Sequence, residues 1–301
     1  MATFNPNPTL GAVQIGVLIS YILFGVATTQ AYLYFTRYPD DPRGVRALTA
    51  FVWACDLART ICLGAVLYTY TITDFTHPER LDGPPALSLC LHTFFSVLTA
   101  ACVQGFFAFR IYVFTKKVYI PLLIWCMAFL PLLGGIVLFA LTLRVPSITV
   151  YVANWEWLVT TNWSLSVATD LVITTTLVIV LRRQRSRAHN KTAVVVDKLI
   201  VWTIETGLLT SVSSILTLAF FVSMKTNYIW LTFYTVSTGL FPNSLLASLN
   251  SRASLRAIQP PGLKVLASTG SPSSDGVHIK TESHVMYDIQ DETTFKYPET
   301  T

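Results

Sequence analysis

The chain has 301 residues, of which 52% are hydrophobic and 12% are charged, and its mean hydropathy is +0.54. Soluble domains usually carry roughly 25% charged residues, so this composition excludes an ordinary soluble protein and predicts a membrane protein. The net charge of +5 is modest, and the Lys and Arg residues form no tract interleaved with aromatic residues. That pattern argues against a nucleic-acid partner.

Seven apolar stretches are each long enough to cross a bilayer as a helix, since about 20 residues span its hydrocarbon core. Together they predict an all-α membrane protein, a seven-helix transmembrane bundle over residues 1–252. The connections are too short to hold a soluble domain. Residues 253–301 are rich in Pro, Gly, Ser and Thr, and predict a disordered cytosolic tail. The predicted spans are about 10–35, 46–70, 86–114, 118–143, 157–181, 198–223 and 228–249.

The Lys and Arg residues near the span ends are distributed unequally. Twelve lie in or beside the connections after spans 1, 3 and 5, whereas the opposite side has three, Arg80, Arg144 and Lys225. By the positive-inside rule, the N-terminus is therefore expected outside and the C-terminus in the cytosol. The connection after span 5 is the most basic and is a candidate contact for a cytosolic effector. Its residues include Arg182, Arg183, Arg185, Arg187 and Lys191.

Charged residues inside the predicted spans are candidates for function, because burying a charge in lipid is costly. Asp56 and Arg59 lie three residues apart in span 2, so they share a helix face and can pair. Asp170 lies near the middle of span 5. The three residues could line a ligand pocket or ion path, or they could tie helices together.

His92 and Gln104 are further polar candidates, both in span 3. His92 lies toward the outer end, where it could contact an external ligand or serve as a hydrogen-bonded packing residue. The five cysteines all fall in apolar stretches without a CxxC pair, so neither a zinc nor a redox site is expected. No cofactor is expected.

Several seven-span classes lack their defining residues here. Span 7 has no Lys for a retinal Schiff base, and His92 is the sole His inside a predicted span, which is too few for a zinc hydrolase. No G-x-S-x-G motif is present, so the chain is not expected to be an enzyme. A rhodopsin-like receptor would have an acidic residue before Arg110 and N-P-x-x-Y in span 7, and neither occurs. No internal repeat of the transporter kind is evident either.

Two motifs carry a family resemblance. Span 3 ends in FFAFRIY (106–112), and span 7 ends in NSLLASLNSR (243–252). The chain resembles, over about residues 11–252, a family of seven-span membrane proteins of mushroom-type (basidiomycete) fungi grouped under a domain of unknown function. That family has the pattern N-S-L-L-A-x-L-N-x-R. The resemblance implies a fold and a membrane location, and no activity.

The second motif places small and polar residues on one helix face. Asn243, Ala247 and Asn250 form one stripe, and a neighbouring stripe consists of Ser244, Ser248 and Ser251. Small and polar residues allow close helix packing, so this face is expected to meet span 1, 2 or 6 rather than lipid. Arg252 is expected to mark the cytosolic boundary of the span.

Topology, the basic connection and the Ser/Thr-rich tail together favour a receptor-like or sensory protein of the plasma membrane, with the lipid bilayer and a cytosolic effector as partners. The alternative is a transporter or channel that uses Asp56, Arg59 and Asp170.

Overall fold

A computed structural model describes residues 10–74, 83–186, 190–224 and 228–258. These residues form seven α-helices and no strand, and a π-helical turn, Thr69–Thr73, continues the second helix. The helices are α1 (Ala12–Arg37), α2 (Arg43–Tyr68), α3 (Leu87–Thr115), α4 (Tyr119–Thr142), α5 (Ile148–Arg185), α6 (Asn190–Ser223) and α7 (Ile229–Ile258).

Six of the helices in the described ranges, α1 to α6, are long and apolar enough to cross a membrane. They indicate an integral, multi-pass membrane protein. α7 is equally long, but its many Ser, Thr and Asn residues lower its hydropathy, so length and composition do not mark it as a span.

The exterior of the bundle is apolar, whereas its interior contains many polar side chains. Ile22, Leu123 and Leu209 are exposed on three different helices, and Asp56 and Arg59 are fully buried. Lipid offers no hydrogen-bond partner, so a helix that meets lipid has to turn its polar side chains toward its neighbours.

α1 and α7 pack side by side in a parallel register. Three side chains of α7 donate hydrogen bonds to backbone carbonyls of α1, each across the same sequence separation of 220 residues. A constant separation means that both helices run in the same direction. The bonds join Thr232 to Ala12 at 2.6 Å, Asn243 to Leu23 at 3.0 Å, and Asn250 to Gln30 at 2.7 Å.

Gly16 permits this close approach of α1 and α7. A Cβ atom at Gly16 would lie 2.9 Å from the Cα of Thr232, which is a backbone atom and cannot move aside. The absence of a side chain therefore lets the two backbones meet, as small residues do between membrane helices.

The ends of α1, α3, α5 and α7 lie at one end of the bundle, which we call the basic end. The Gln184 side chain at the end of α5 donates to the carbonyl of Phe114 at the end of α3, at 3.5 Å. Arg110 of α3 likewise donates to Oγ of Ser248 on α7, at 2.5 Å.

Three of the basic residues after predicted span 5 lie in a helix rather than in a loop, contrary to the sequence-based expectation. Arg182, Arg183 and Arg185 lie in the last turn of α5, where the negative end of the helix dipole favours basic side chains. Lys191 lies in the first turn of α6, and Arg187 is outside the described residues.

The helix bounds differ from the predicted spans chiefly at α5, α6 and α7. α5 begins at Ile148 because Ser147 caps it, accepting from the backbone N–H of Thr149 at 3.1 Å. α6 begins at Asn190, before its apolar run. α7 continues to Ile258, past the predicted boundary at residue 252, and the rest of the predicted tail lies outside the described residues.

Candidate functional site

Asp56 and Arg59 form an ion pair on one face of α2. The Nε and Nη2 atoms of Arg59 both donate to Oδ1 of Asp56, at 2.9 and 2.7 Å. Both side chains are fully buried, so each charge has the other as its counterion. Oδ2 of Asp56 has no hydrogen-bond partner among the described residues. This is the pairing that the three-residue spacing predicts.

The remaining part of the Arg59 guanidinium links α2 to α1 and α7. Its Nη1 lies 3.2 Å from Oγ of Ser20 and 3.4 Å from Oγ1 of Thr238, and it donates to both. Ser20 donates in turn to the backbone carbonyl of Thr235, at 3.0 Å. Asp56 and Arg59 line none of the three cavities described below. The pair thus joins three helices at a packed site.

His92 is fully buried on α3, next to this ion pair. Its Nδ1 lies 3.4 Å from the backbone carbonyl oxygen of Arg59, and its ring meets that of Tyr234 edge to face, with centroids 5.9 Å apart. His92 lines none of the three cavities. His92 therefore has the surroundings of a packing residue, which is one of the two roles that the sequence allowed. Its contact with an external ligand stays a prediction.

Three cavities lined by described residues lie in the bundle, and the largest of the three has a volume of about 380 Å³ and lies between α3, α5, α6 and α7. That volume is in the range of small-molecule sites. Arg37 and Glu205 line the cavity and are exposed, so it reaches the surface of the molecule. Its polar lining includes Gln104, Asp170, Thr174, Thr210, Ser244 and Ser248, and its aromatic lining consists of Phe107, Trp202 and Phe241.

Asp170 and Gln104 meet across the wall of this cavity. Nε2 of Gln104 donates to Oδ1 of Asp170 at 2.7 Å, which joins α3 to α5. Both residues are buried, with exposed fractions of 2% for Gln104 and 6% for Asp170. Oδ2 of Asp170 has no hydrogen-bond partner among the described residues. A buried carboxylate oxygen without a donor is costly, and a ligand could supply that donor.

Arg110 lines the same cavity closer to the basic end. Besides its bond to Ser248, its guanidinium lies 5.5 Å from the centroid of the Phe114 ring. No carboxylate of the described residues forms an ion pair with it. The cavity therefore has an acidic group near Gln104 and a basic group six residues further along α3, which is about 1.7 turns.

Two smaller cavities follow the largest one toward the opposite end of the bundle. The middle cavity, of about 80 Å³, shares Gln104 and Phe241 with the largest cavity. The outer cavity, of about 100 Å³, shares Trp163 and Tyr234 with the middle one. Trp163 and Tyr234 stack with ring centroids 5.3 Å apart. Two layers of side chains thus separate three consecutive cavities.

The NSLLASLNSR segment contacts both α1 and the largest cavity, and Asn250 reaches both. Asn243 and Asn250 face α1, one of the three helices that the sequence analysis names, through their bonds to its carbonyls. The residues of the segment that line the largest cavity are Ser244, Ala247, Ser248, Asn250 and Ser251. The small and polar stripe is therefore both a contact with α1 and a cavity wall.

Arg252 closes the basic end of the bundle by contacting the connection between α1 and α2. Its Nη2 lies 2.6 Å from Oδ2 of Asp41, and its guanidinium lies 4.6 Å from the centroid of the Tyr38 ring. The hydroxyl of Tyr34 also donates to Oδ2 of Asp41, at 3.0 Å.

The polar residues singled out from the sequence thus belong to two sites rather than one cluster. Asp56 and Arg59 occupy the packed site between α1, α2 and α7, whereas Asp170 and Gln104 lie at the cavity. The sequence reasoning did not assign Arg110 to a site. Its position inside the end of an apolar span, six residues after Gln104, is the signal that could have done so. Within the described residues, no group of His, Cys, Asp and Glu could hold a metal ion.

Comparison with known proteins gives one partial match. Residues 166–254 match the profile of a family of unknown function (DUF6534), which covers less than half of the chain. No curated protein and no solved structure matches the chain. The matched residues include Asp170, the second half of α5, all described residues of α6, and α7 up to residue 254, with the NSLLASLNSR segment near its end. In this part the chain is similar to a family without an assigned activity.

Proposed function

We propose that the chain crosses the plasma membrane seven times, with its N-terminus outside and its C-terminus in the cytosol. α7 is the seventh span in this proposal. It runs parallel to α1 and packs along it, and its polar side chains face α1 and the cavity rather than lipid. The unequal distribution of Lys and Arg supports the orientation. The FFAFRIY and NSLLASLNSR motifs support a place among the fungal seven-span proteins.

The function that the geometry supports best is transport of a small polar solute, which is the alternative to a receptor-like role. The carrying observation is the buried Asp170 carboxylate at the largest cavity, with an oxygen that lacks a donor. In the proposed orientation this cavity opens toward the cytosol. A ligand that approached from outside could not reach it without crossing the two layers of side chains. The proposal includes no enzymatic activity.

The two smaller cavities supply the rest of a route through the bundle. In the proposed cycle, the layer at Gln104 and Phe241 opens while the layer at Trp163 and Tyr234 is closed, and then the reverse. The two layers must not be open at the same time, because alternating access prevents a continuous leak of solute across the membrane.

Uptake by purified protein in proteoliposomes tests this function. We would supply radiolabelled amino acids, amines, organic acids and sugars, and compare the wild-type chain with Asp170→Asn. We expect at least one solute class to enter faster than into protein-free liposomes, and the variant to reduce that rate at least tenfold. Asp197→Asn is the matched control, since Asp197 is exposed, pairs with Arg185 and does not line the cavity. Uptake no faster than in protein-free liposomes for every class, or undiminished in Asp170→Asn, would contradict the proposal.

A receptor-like role is the second candidate, and the outer cavity favours it. Tyr70, Trp163, Trp230 and Tyr234 line that cavity, and aromatic side chains are common in ligand sites. A cytosolic effector would then contact Arg182 and Arg183. Under this alternative, proteoliposomes show no uptake, and an added outer ligand changes hydrogen exchange at the basic end of the bundle. If uptake occurs and hydrogen exchange there does not respond, this candidate fails.

A further inference from the structure

The charges around the largest cavity are balanced and separated. Its charged lining residues in the described part of the chain are Asp170 and Glu205, which are acidic, and Arg37 and Arg110, which are basic. Arg37 and Glu205 are exposed, whereas Asp170 is 6% exposed and Arg110 is partly buried. Asp170 and Arg110, the two inner charges, are therefore the less exposed charges that a ligand inside the cavity would meet.

Each inner charge keeps capacity for a ligand. Oδ1 of Asp170 accepts from Gln104 at 2.7 Å, while Oδ2 has no partner among the described residues. Arg110 donates to the hydroxyl of Ser248, which is neutral and takes up one of its five N–H donors. A guanidinium prefers a carboxylate or phosphate that can accept two parallel hydrogen bonds.

The separation of these charges can be estimated along α3. Gln104, which holds the Asp170 carboxylate, lies six residues before Arg110, a rise of roughly 9 Å at ~1.5 Å per residue. Both side chains face the same cavity. A metal ion would need far less than about 380 Å³ and could not use both groups, because they have opposite charges.

We propose that this cavity binds a zwitterionic small molecule, with its ammonium group at Asp170 and its carboxylate at Arg110. The aromatic faces of Phe107 and Trp202 cover the apolar part that joins the two groups. A zwitterion satisfies both inner charges at once, whereas a simple cation or a simple anion leaves one of them unpaired. The inference rests on the proposed function, since it names the class of solute that the transport site takes.

Binding to the purified full-length protein in lipid nanodiscs tests the inference. The probes are the ω-amino acids from aminopropanoate to aminohexanoate, together with the diamine and the dicarboxylate of each chain length. These three compound types differ in their end groups and little in size. We expect at least one amino acid to bind at least tenfold more tightly than its matched diamine and dicarboxylate, by isothermal titration calorimetry.

Variants then assign the two ends of the ligand. We expect Asp170→Asn and Arg110→Gln each to weaken binding of the best amino acid at least tenfold. The matched controls Asp197→Asn and Arg185→Gln remove an exposed acidic and an exposed basic side chain outside the cavity, and they should leave the affinity within twofold. Thermal unfolding of each variant shows whether it is folded, and the probe series on the unchanged chain decides the question even where a variant fails.

Several results would overturn the inference. A diamine that binds as tightly as the amino acid would indicate a cation site, and an equally tight dicarboxylate would indicate an anion site. Absence of binding by every amino acid, or full affinity in folded Arg110→Gln, would also reject it. Transport and zwitterion binding can be rejected independently. Uptake of another solute class would uphold transport and overturn this inference. Tight binding of an amino acid without its uptake would uphold this inference and contradict transport.

Discussion

Asp56 and Asp170 are both carboxylates buried inside the bundle, but their surroundings differ. Asp56 accepts two hydrogen bonds from Arg59, whose guanidinium also reaches Ser20 and Thr238. Asp170 accepts one hydrogen bond, from the neutral amide of Gln104, and lies beside a cavity. One carboxylate has its countercharge within the packed protein, and the other has room for a countercharge that arrives from outside.

This difference teaches how to separate structural from functional charges in a membrane bundle. Burial alone does not distinguish Asp56 from Asp170, because both are nearly inaccessible. What distinguishes them is that Asp56 has a charged partner within the protein, whereas Asp170 lies beside a cavity. The same substitution at the two positions should therefore have opposite consequences for stability and transport.

The largest expected effect is loss of stability in Asp56→Asn. The change leaves the Arg59 charge buried without its partner, which should lower the free energy of unfolding by about 3–5 kcal/mol. Denaturant unfolding in detergent micelles measures this loss. The double variant Asp56→Asn, Arg59→Met removes both charges and should recover much of the stability. A double variant that is no more stable than the single one would contradict the packing role.

Asp170→Asn should reduce transport strongly and stability little, in contrast to Asp56→Asn. Asn keeps an oxygen that can accept from Gln104, so the free energy of unfolding should change by less than about 1 kcal/mol. Solute uptake should nevertheless fall at least tenfold, as measured in proteoliposomes. If Asp170→Asn destabilises the protein as much as Asp56→Asn does, the distinction between the two carboxylates is wrong.

A smaller loss is expected where α7 bonds to α1. Asn243→Ala and Asn250→Ala each remove a hydrogen bond to an α1 carbonyl, and each should cost about 0.6–1.7 kcal/mol. Ser251→Ala is the matched control, because Ser251 bonds within its own helix, to the carbonyl of Ser248. If Ser251→Ala lowers the free energy of unfolding as much as the two Asn variants do, the hydrogen bonds to α1 contribute no more than a bond within α7.

The smallest effect is expected at the basic end. Arg252→Gln breaks a partly exposed ion pair with Asp41, and such pairs contribute about 0–1 kcal/mol. The loss should shrink further as salt is added, because ions screen exposed charges. A loss that is larger than that of Asn250→Ala, and constant with salt, would show that the ion pair is better shielded than its exposure indicates.

The sequence was sufficient wherever one helix contains the whole interaction. Asp56 and Arg59 pair as their spacing predicts, because three residues along a helix place both side chains on one face. The polar stripe ending span 7 also indicated a packing face before its neighbour was known. The helices themselves follow from long apolar runs, whose lengths match a bilayer.

The sequence was insufficient where separate helices meet. Nothing in the spacing of Gln104 and Asp170, on α3 and α5, shows that their side chains lie 2.7 Å apart. For the same reason the sequence did not show that Asp170 lines a cavity and that Asp56 lines none of the three. Arg182 and its neighbours were placed in a loop because hydropathy ends there, yet a helix can continue beyond its apolar part when its side chains suit a helix end.

The parallel pairing of α1 with α7 has a consequence for biosynthesis. The ribosome makes α1 before α7, so the side chains that donate to the carbonyls of Leu23 and Gln30 are made only after α2 to α6. Thr238, which helps to hold the Arg59 guanidinium, arrives at the same late stage. Until α7 is inserted, α1 and the Asp56–Arg59 ion pair lack the contacts that α7 supplies. A chain truncated before α7 should therefore be a preferred target of membrane quality control.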